Sequence, residues 1–397
     1  GSAAETEARQ VEAAGSEIIS DLQARRSVLP AGSAYDRVAT AVMAASGRAA
    51  EAELRGARLR AEAQSKNWLP SIGPSLSLSS MGDFVAQLIV EQVLFDNGRK
   101  KAERAFAKAD VEVAAVTLSQ DMNDRVAEAL TLYLTAAEAR DRARLAREAL
   151  GEMEHFEYIM SERVRGGVSD MSDLTVIRQK LGELRASLSA AQETEGAAIA
   201  SLNAMSAAPL DEVRGLSDIP VSGGAEALTV LKARAEMLRD IEAAKIERAG
   251  HLPGLTAGGT LGDDGSGIGL QVSSDKLFGL GTGASLKAIE ATQDAARARV
   301  DEAREDSDQA MARLSREDDA LRRQTEEARA LARQAGDTLD LFQRQYQAGQ
   351  RQVMDVVGVY ETYIAQEQTM LDLKYRAART RLERARLLGL LADGSDM

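Results

Sequence analysis

The chain has 397 residues, a formal net charge of -13, no cysteine, and aromatic residues at only 4% of its positions. Without cysteine, disulfides, thiolate metal sites and cysteine nucleophiles are excluded. Because the charge is negative and no block of lysine or arginine stands out, nucleic acid is not expected as a partner. Abundant alanine, leucine, glutamate and arginine favour long helices over a compact enzyme. The sequence has no run of 18 apolar residues, which argues against a transmembrane helix.

Proline positions divide the chain into long uninterrupted stretches. No proline lies between residues 75 and 208 or after residue 253. Proline inside a helix costs about 3 kcal/mol, so both stretches can hold very long helices. The segment between Pro209 and Pro220 has the composition of a linker.

Each long stretch begins with a strand-like segment around a tight turn. Apolar residues alternate with glycine and serine over residues 72–79, and residues 84–95 are rich in valine, leucine and isoleucine. Similar alternation flanks a second turn, over residues 255–261 and 268–273. This pattern predicts two β-hairpins, with strands at about 70–95 and about 254–276. The second turn, Asp263-Asp264-Gly265, lacks the other ligands of an EF-hand and is interpreted as a hairpin tip.

The hydrophobic period lengthens after each hairpin. Met122, Val126, Ala129, Tyr133 and Ala137 recur at steps of three and four, as on one face of an amphipathic helix. The helical pattern runs from about residue 99 to 165 and from about residue 284 to 347. At 1.5 Å per residue each helix is roughly 100 Å long, which is too long to be packed inside one globule.

Several landmarks recur in the same order at a spacing of 182 or 183 residues. They are Pro70 and Pro253, Phe95 and Phe278, and Gly167 and Gly349. We therefore predict a tandem duplication, with an N-terminal extension (1–34), a first repeat (35–208), a linker (209–224) and a second repeat (225–397). Each repeat is expected to contain a helix, a hairpin, a very long helix, a glycine turn and a further helix. Four strands cannot close a barrel, so strands that cross a bilayer would require several chains to share one barrel.

From about residue 35 to about residue 391, the chain resembles the TolC-like outer-membrane efflux protein family. The segments that carry the resemblance flank the first hairpin and form the two helical turns: Asn67-Trp68-Leu69-Pro70-Ser71, Leu94-Phe95-Asp96-Asn97-Gly98-Arg99, Glu162-Arg163-Val164-Arg165-Gly166-Gly167-Val168-Ser169 and Gln345-Tyr346-Gln347-Ala348-Gly349-Gln350-Arg351. The resemblance implies a mainly α fold with a β-barrel portion. Long antiparallel helical hairpins would form a periplasmic α-barrel, and four β-strands per chain would contribute to a trimeric 12-stranded barrel.

The resemblance also implies a function. The chain would be a homotrimeric channel that is surrounded by lipid in the outer membrane and extends into the periplasm. It would serve a tripartite efflux or type I secretion system as a passive conduit, without catalysis and without a cofactor. Docking of a periplasmic adaptor (membrane fusion) protein and an inner-membrane transporter would open it. Whether the cargo is a small drug or a secreted protein is left open.

A periplasmic gate at the two glycine turns follows from the same resemblance. Tyr346 and Arg351 would bond to Ser172 and Asp173, and an arginine bonds a carboxylate with charge assistance and specific geometry. Asp355 would line the mouth and form an acidic ring in a trimer, which favours cations. The family has a second acidic position one turn later, where this chain has Gly358, so the acidic ring would be single. The adaptor is expected to contact the turns themselves, Gly166, Gly167, Val168, Ser169, Ala348, Gly349 and Gln350.

Purely structural roles fit the same residues. Asp173 and Asp355 are suited to capping the helices that follow the glycine turns. Arg351 taken alone fits a solvated surface charge, and Tyr346 taken alone fits a packing residue. The recurrence of the acidic position beside Arg351 favours the gate.

Other functions remain alternatives. A periplasmic coiled-coil protein that binds partners without forming a pore would explain why Phe84 and Phe95 are the only aromatic residues in the strands. A periplasmic adaptor ranks last, because no segment has the size and composition of a lipoyl-like β domain. His155 and His251 lie far apart in sequence, so no metal site is expected. No nucleophile, base or metal set converges on any segment, which disfavours an enzyme.

Overall fold

A computed structural model describes residues 17–45, 47–79, 81–220, 224–263, 265–395 and 397 of the chain. Asp264, in the predicted second hairpin tip, lies outside these residues. The predicted mainly α fold with four strands is confirmed. The elements in chain order are α1 (residues 17–24), α2 (Ala34–Ala44), α3 (Ala49–Gln64), β1 (Ser71–Leu78), β2 (Phe84–Phe95), α4 (Arg99–Arg165), α5 (Met171–Ala204), α6 (Leu228–Gly250), β3 (Gly254–Gly262), β4 (Gly265–Ser273), α7 (Thr282–Gln347) and α8 (Val353–Leu387).

Two helices dominate the molecule. Helix α4 has 67 residues and α7 has 66, so each is about 100 Å long. The chain enters α4 through Asn97 and Gly98, which both have positive φ angles, of 58° and 83°. Glycine adopts this left-handed backbone without steric cost, and asparagine tolerates it better than most residues. The chain therefore turns sharply from strand into helix at this point.

The four strands form one antiparallel sheet in the order β1-β2-β3-β4. The central pair, β2 and β3, joins the two hairpins, with Gln87 opposite Gly262 and Val93 opposite Thr256. A bulge between Val93 and Phe95 inserts Leu94 into β2, next to the start of α4. Such bulges bend a strand and increase its twist where pairing ends.

Three large hydrophobic clusters follow one another along the helical bundle, and a smaller fourth cluster joins Leu321 and Ala328 of α7 to Leu373 of α8. The cluster nearest the sheet joins α1, α3, the first part of α4 and α6. The middle cluster joins α2, α4, the end of α8 and residues 210–219. The third, which we name the tip core, joins the last part of α4 and the first part of α5 to the turn between α7 and α8. The long helices are therefore held together along most of their length.

Polar contacts tie α4 to α8 beside the middle cluster. Arg379 pairs with Glu138 at 2.6 Å, and the Tyr375 hydroxyl donates a hydrogen bond to Asp141 at 2.6 Å. Among the described helices, none combines the length and the apolar composition that a transmembrane helix requires.

Both halves of the chain show strands, a long helix, a turn and a further helix in the same order. The proposed boundaries of the two repeats stay a prediction.

Candidate functional site

The sheet carries most of its large apolar side chains on one face. Directly opposite residues of an antiparallel pair lie on the same face, so the strand register assigns each side chain to a side. Pairs such as Leu76 with Ala86, Leu88 with Leu261, and Leu270 with Ala257 align across all four strands. The exposed large residues of this apolar face within the four-strand register are Ile72, Leu76, Leu78, Phe84, Leu88, Leu261, Ile268, Leu270 and Val272.

The apolar face is uncovered within the chain. Ile268 is 95% exposed and Leu76 is 73% exposed, whereas Val90 and Leu255 on the same face are half-buried. A contiguous exposed apolar surface of this kind marks an interaction with a membrane or another protein.

The opposite face is lined mainly by small and polar residues. It carries Ser71, Gly258 and Gly269 together with further serine, threonine, glutamine and glycine residues, although Val85, Ile89 and Val93 also lie on it. We name it the polar face. A sheet with one apolar and one polar face is typical of a membrane β-barrel, in which the two kinds of residue alternate along each strand.

Glu91 is the only charged residue within the four strands. It lies on the polar face, opposite Ser71 of β1 and Gly258 of β3. These neighbours have a short side chain and none, so the exposed carboxylate has room around it. Among the described residues it has no hydrogen-bond or ion-pair partner.

At the other end of the molecule, the two helical turns have the same geometry. Gly167 and Gly349 have φ angles of 73° and 77°, which favour glycine. The N–H of Val168 donates to the carbonyl of Arg163 at 2.9 Å, and the N–H of Gln350 donates to that of Gln345 at 2.8 Å. The two turns therefore close in the same way, 182 residues apart.

A side-chain bond also spans each turn. Arg163 Nε donates to Ser169 Oγ at 2.9 Å, and Arg351 Nε donates to Gln345 Oε1 at 2.8 Å. The two bonds join equivalent positions, but the arginine lies before the first turn and after the second. The Arg351 guanidinium also lies 4.1 Å from the centre of the Phe342 ring, a cation–π contact.

Caps begin the helix after each turn. Asp170 accepts a hydrogen bond from the Ser172 N–H at 3.2 Å and starts α5. Gln352 and Asp355 form a reciprocal capping box that starts α8, with Asp355 Oδ2 accepting from the Gln352 N–H at 3.1 Å. The capping role considered for Asp355 is therefore present, whereas the cap of α5 is Asp170 and not Asp173.

The tip core holds both turns at one end of the bundle. Phe156 of α4 and Tyr360 of α8 pack edge to face with ring centres 6.0 Å apart, and Tyr346 packs against the same cluster. Burial, together with the charges of Glu152 and Glu148, raises the pKa of Tyr360 above its ordinary value. Lys180 of α5 and Glu361 of α8 add an ion pair at 2.6 Å. The two helical pairs are thus in direct contact here.

The predicted gate bonds are not made within the described part of a single chain. Arg351 bonds to Gln345, and the side chains of Ser172 and Asp173 have no hydrogen-bond partner among the described residues. Asp173 lies in the first turn of α5 and Asp355 in the first turn of α8, at equivalent positions. The gate residues therefore lie at the same end of the bundle, and their pairing stays a prediction.

Sequence reasoning assigned no role to Arg163, Asp170, Gln345 and Gln352, whose side chains bond across the turns or cap the following helices. The spacing of 182 residues could have found them, because it relates Arg163 to Gln345 and Asp170 to Gln352. The described residues contain no group of three or more histidine, aspartate or glutamate side chains placed to hold a metal ion.

A four-stranded sheet with one exposed apolar face is thus carried on a helical bundle that contains two helices about 100 Å long. Residues 46–208 match the family model described as outer membrane efflux protein. The resemblance to this family is therefore confirmed.

Solved structures of similar fold cover nearly the whole chain. A membrane protein from Pseudomonas aeruginosa matches with a TM-score of 0.78 at 17% identity, over 93% of this chain and 92% of its own. The outer membrane protein VceC from Vibrio cholerae matches with a TM-score of 0.73 at 16% identity, over 95% and 96%. The Campylobacter jejuni CmeC outer membrane channel matches with a TM-score of 0.72 at 13% identity, over 91% and 87%. At these identities the likeness is one of fold. Comparison with curated protein sequences gives no match.

Proposed function

We propose that the chain is one subunit of a homotrimeric channel in the outer membrane, with its helices extending into the periplasm. The observation that carries this proposal is the sheet, which has an exposed apolar face, a polar face and two edge strands without an outer neighbour in the described structure. An open sheet edge is not tolerated in lipid, because its backbone groups would lack hydrogen bonds. Pairing β4 of one chain with β1 of the next satisfies both edges.

In such a barrel the apolar face contacts lipid and the polar face lines the lumen. The strands have 8, 12, 9 and 9 residues, close to the 9–11 or so that a tilted strand needs to cross a bilayer. Three chains would supply twelve strands, and Glu91 would then place one carboxylate per chain in the lumen.

The proposed channel is a passive conduit of a tripartite efflux or type I secretion system, without a catalytic step or a cofactor. Its helices would form a periplasmic α-barrel, and the similar order of elements in both halves supports an origin by tandem duplication. The paired turns at the tip core would be the periplasmic mouth, where an adaptor protein and an inner-membrane transporter dock. There Ser172, Asp173, Tyr346, Arg351 and Asp355 would close the channel until the partners bind.

Cysteine cross-linking tests the barrel. The chain has no cysteine of its own. Strands β1 and β4 are three strand spacings apart within one chain, about 14 Å, whereas a disulfide needs Cα atoms within about 7 Å. Ser75→Cys combined in turn with Gly267→Cys, Gly269→Cys or Gln271→Cys should therefore cross-link only between chains. We expect one of these pairs to give a ladder that stops at three subunits, and the purified protein to conduct in planar bilayers.

The matched control is Ser75→Cys with Gln87→Cys, since these residues lie directly opposite on β1 and β2. It should form a disulfide within one chain and leave the subunits separate. A soluble monomer without cross-links and without conductance would refute the channel and support the alternative, a periplasmic coiled-coil protein that binds partners.

A further inference from the structure

A belt of exposed apolar residues surrounds the end of the sheet that joins the helices. Trp68 is 62% exposed, Phe278 64% and Leu277 93%. These residues come from the segments just before β1 and just after β4. The end of β2 contributes Leu94 and Phe95, which are also exposed. We name this set, with Leu69 and Leu280, the basal belt.

Strand pairing brings the parts of the basal belt to one level. Ser71 at the start of β1 lies opposite Glu91 near the end of β2, and Phe95 lies opposite Leu255. Gly254 at the start of β3 lies opposite Ser273 at the end of β4. Trp68 is held in place by Gln92, whose amide donates to the Trp68 carbonyl at 3.1 Å. The belt therefore continues the apolar face toward the helices.

Cations follow the basal belt on its helical side. Residues 62–68, 94–104 and 274–287 contain seven lysines and arginines against four carboxylates, in a chain whose net charge is -13. The cations are Lys66, Arg99, Lys100, Lys101, Arg104, Lys276 and Lys287. These three segments together therefore carry a positive net charge, opposite in sign to that of the whole chain.

Most of the local carboxylates already have partners. Arg99 pairs with Asp275 and, at 3.2 Å, with Glu103. Asp96 accepts a hydrogen bond from the Lys100 N–H at 2.9 Å, at the start of α4. By contrast, the ammonium groups of Lys66, Lys100, Lys101 and Lys287 form no ion pair with any carboxylate among the described residues. Positive charge is therefore available to a ligand beside the basal belt.

We propose that the basal belt and these lysines bind anionic phospholipid headgroups in the leaflet that faces the helices. This inference rests on the proposed channel and adds the class of lipid. Along the molecule the order is apolar face, aromatic side chains and then cations, which matches acyl chains, interface and headgroups. Anionic lipids attract cationic residues close to the membrane surface.

Trp68 is the only tryptophan of the chain, so its fluorescence reports on the belt alone. The full-length protein is reconstituted in vesicles that contain either brominated phosphatidylcholine or brominated phosphatidylglycerol at equal mole fraction. We expect both lipids to quench Trp68, and brominated phosphatidylglycerol to quench it more strongly. High salt should weaken this preference, because ions screen surface charge.

A triple variant, Lys66→Gln with Lys100→Gln and Lys101→Gln, should lower the preference for phosphatidylglycerol by about tenfold to a hundredfold. Quenching by phosphatidylcholine should stay unchanged. Arg313→Gln with Arg316→Gln and Arg323→Gln is the matched control, because it removes the same charge from exposed positions in the middle of α7.

Equal quenching by the two lipids in the native protein would overturn lipid selectivity while leaving the channel intact, as its conductance would show. An equal loss of preference in the α7 variant would overturn the assignment to the basal lysines. If neither lipid quenches Trp68, the basal belt does not lie at the membrane. If conductance is absent as well, the channel is also refuted.

Discussion

The two ends of the molecule differ in how far their apolar side chains are buried within one chain. At the tip core, Phe156, Ile177 and Val357 are buried against one another by four helices of the same chain. At the sheet, residues of similar hydrophobicity such as Ile268 and Leu270 are 95% and 71% exposed. A single chain buries the apolar side chains of the tip core. The apolar face of the sheet can be buried only by lipid or by another chain.

This difference assigns separate roles to the ends. Burial of a large apolar side chain contributes about 1.5–3 kcal/mol, so a sheet that leaves many such side chains uncovered is stable only in an apolar medium or against other chains. The tip, which closes on itself through hydrogen-bonded turns, can keep its form in water. Three substitutions test this contrast, from the largest expected effect to the smallest.

The largest effect is expected from Leu270→Arg on the apolar face. A cationic residue that faces lipid near the bilayer centre costs about 2–4 kcal/mol per chain, so insertion into vesicles should fail or become much weaker. Urea titration of the vesicle-bound protein measures the loss. Gln271→Arg, one residue further and on the polar face, should insert like the native protein. If both variants insert equally well, the apolar face does not contact lipid.

An intermediate effect is expected at the mouth. Asp173→Ala and Arg351→Ala should each raise the resting conductance in planar bilayers severalfold, because each removes one partner of the proposed charge-assisted closure. Arg163→Ala is the control, since Arg163 makes the equivalent local bond across the first turn. If Arg163→Ala opens the channel as much as Arg351→Ala, loss of the local bond explains the effect. Unchanged conductance in both gate variants would refute the gate.

The smallest effect is expected from Gly349→Ala in the second turn. A φ of 77° is unfavourable for alanine, so the free energy of unfolding should fall by about 1–2 kcal/mol. Gly358→Ala, nine residues later inside α8 and with open space around it, should instead raise stability by about 0.5–1 kcal/mol. Thermal unfolding of both variants measures the difference. A stabilising Gly349→Ala would show that the turn does not need its left-handed backbone.

Local sequence patterns were sufficient to predict the helices and strands but not the contacts between them. The absence of proline and the helical period predicted the long helices, and α4 covers residues 99–165 as expected. The pairing of β2 with β3 joins residues about 170 positions apart, and neither hairpin alone indicates which strand meets which. Arg351 provides a second example, because several polar partners lie within its reach and only the folded turn places Gln345 Oε1 at 2.8 Å.

The sequence by itself determined the long helices, the two hairpins, the matching glycine turns and the acidic position in the first turn of α5 and α8. These features depend on periodicity, on proline and on backbone preferences, which act between residues close together in the chain. Only the tertiary structure decided that the hairpins share one sheet, that most of its large apolar side chains lie on one uncovered face, and that the single charged residue, Glu91, lies on the other. Those properties depend on strand register, and a shift of one residue would exchange the two faces.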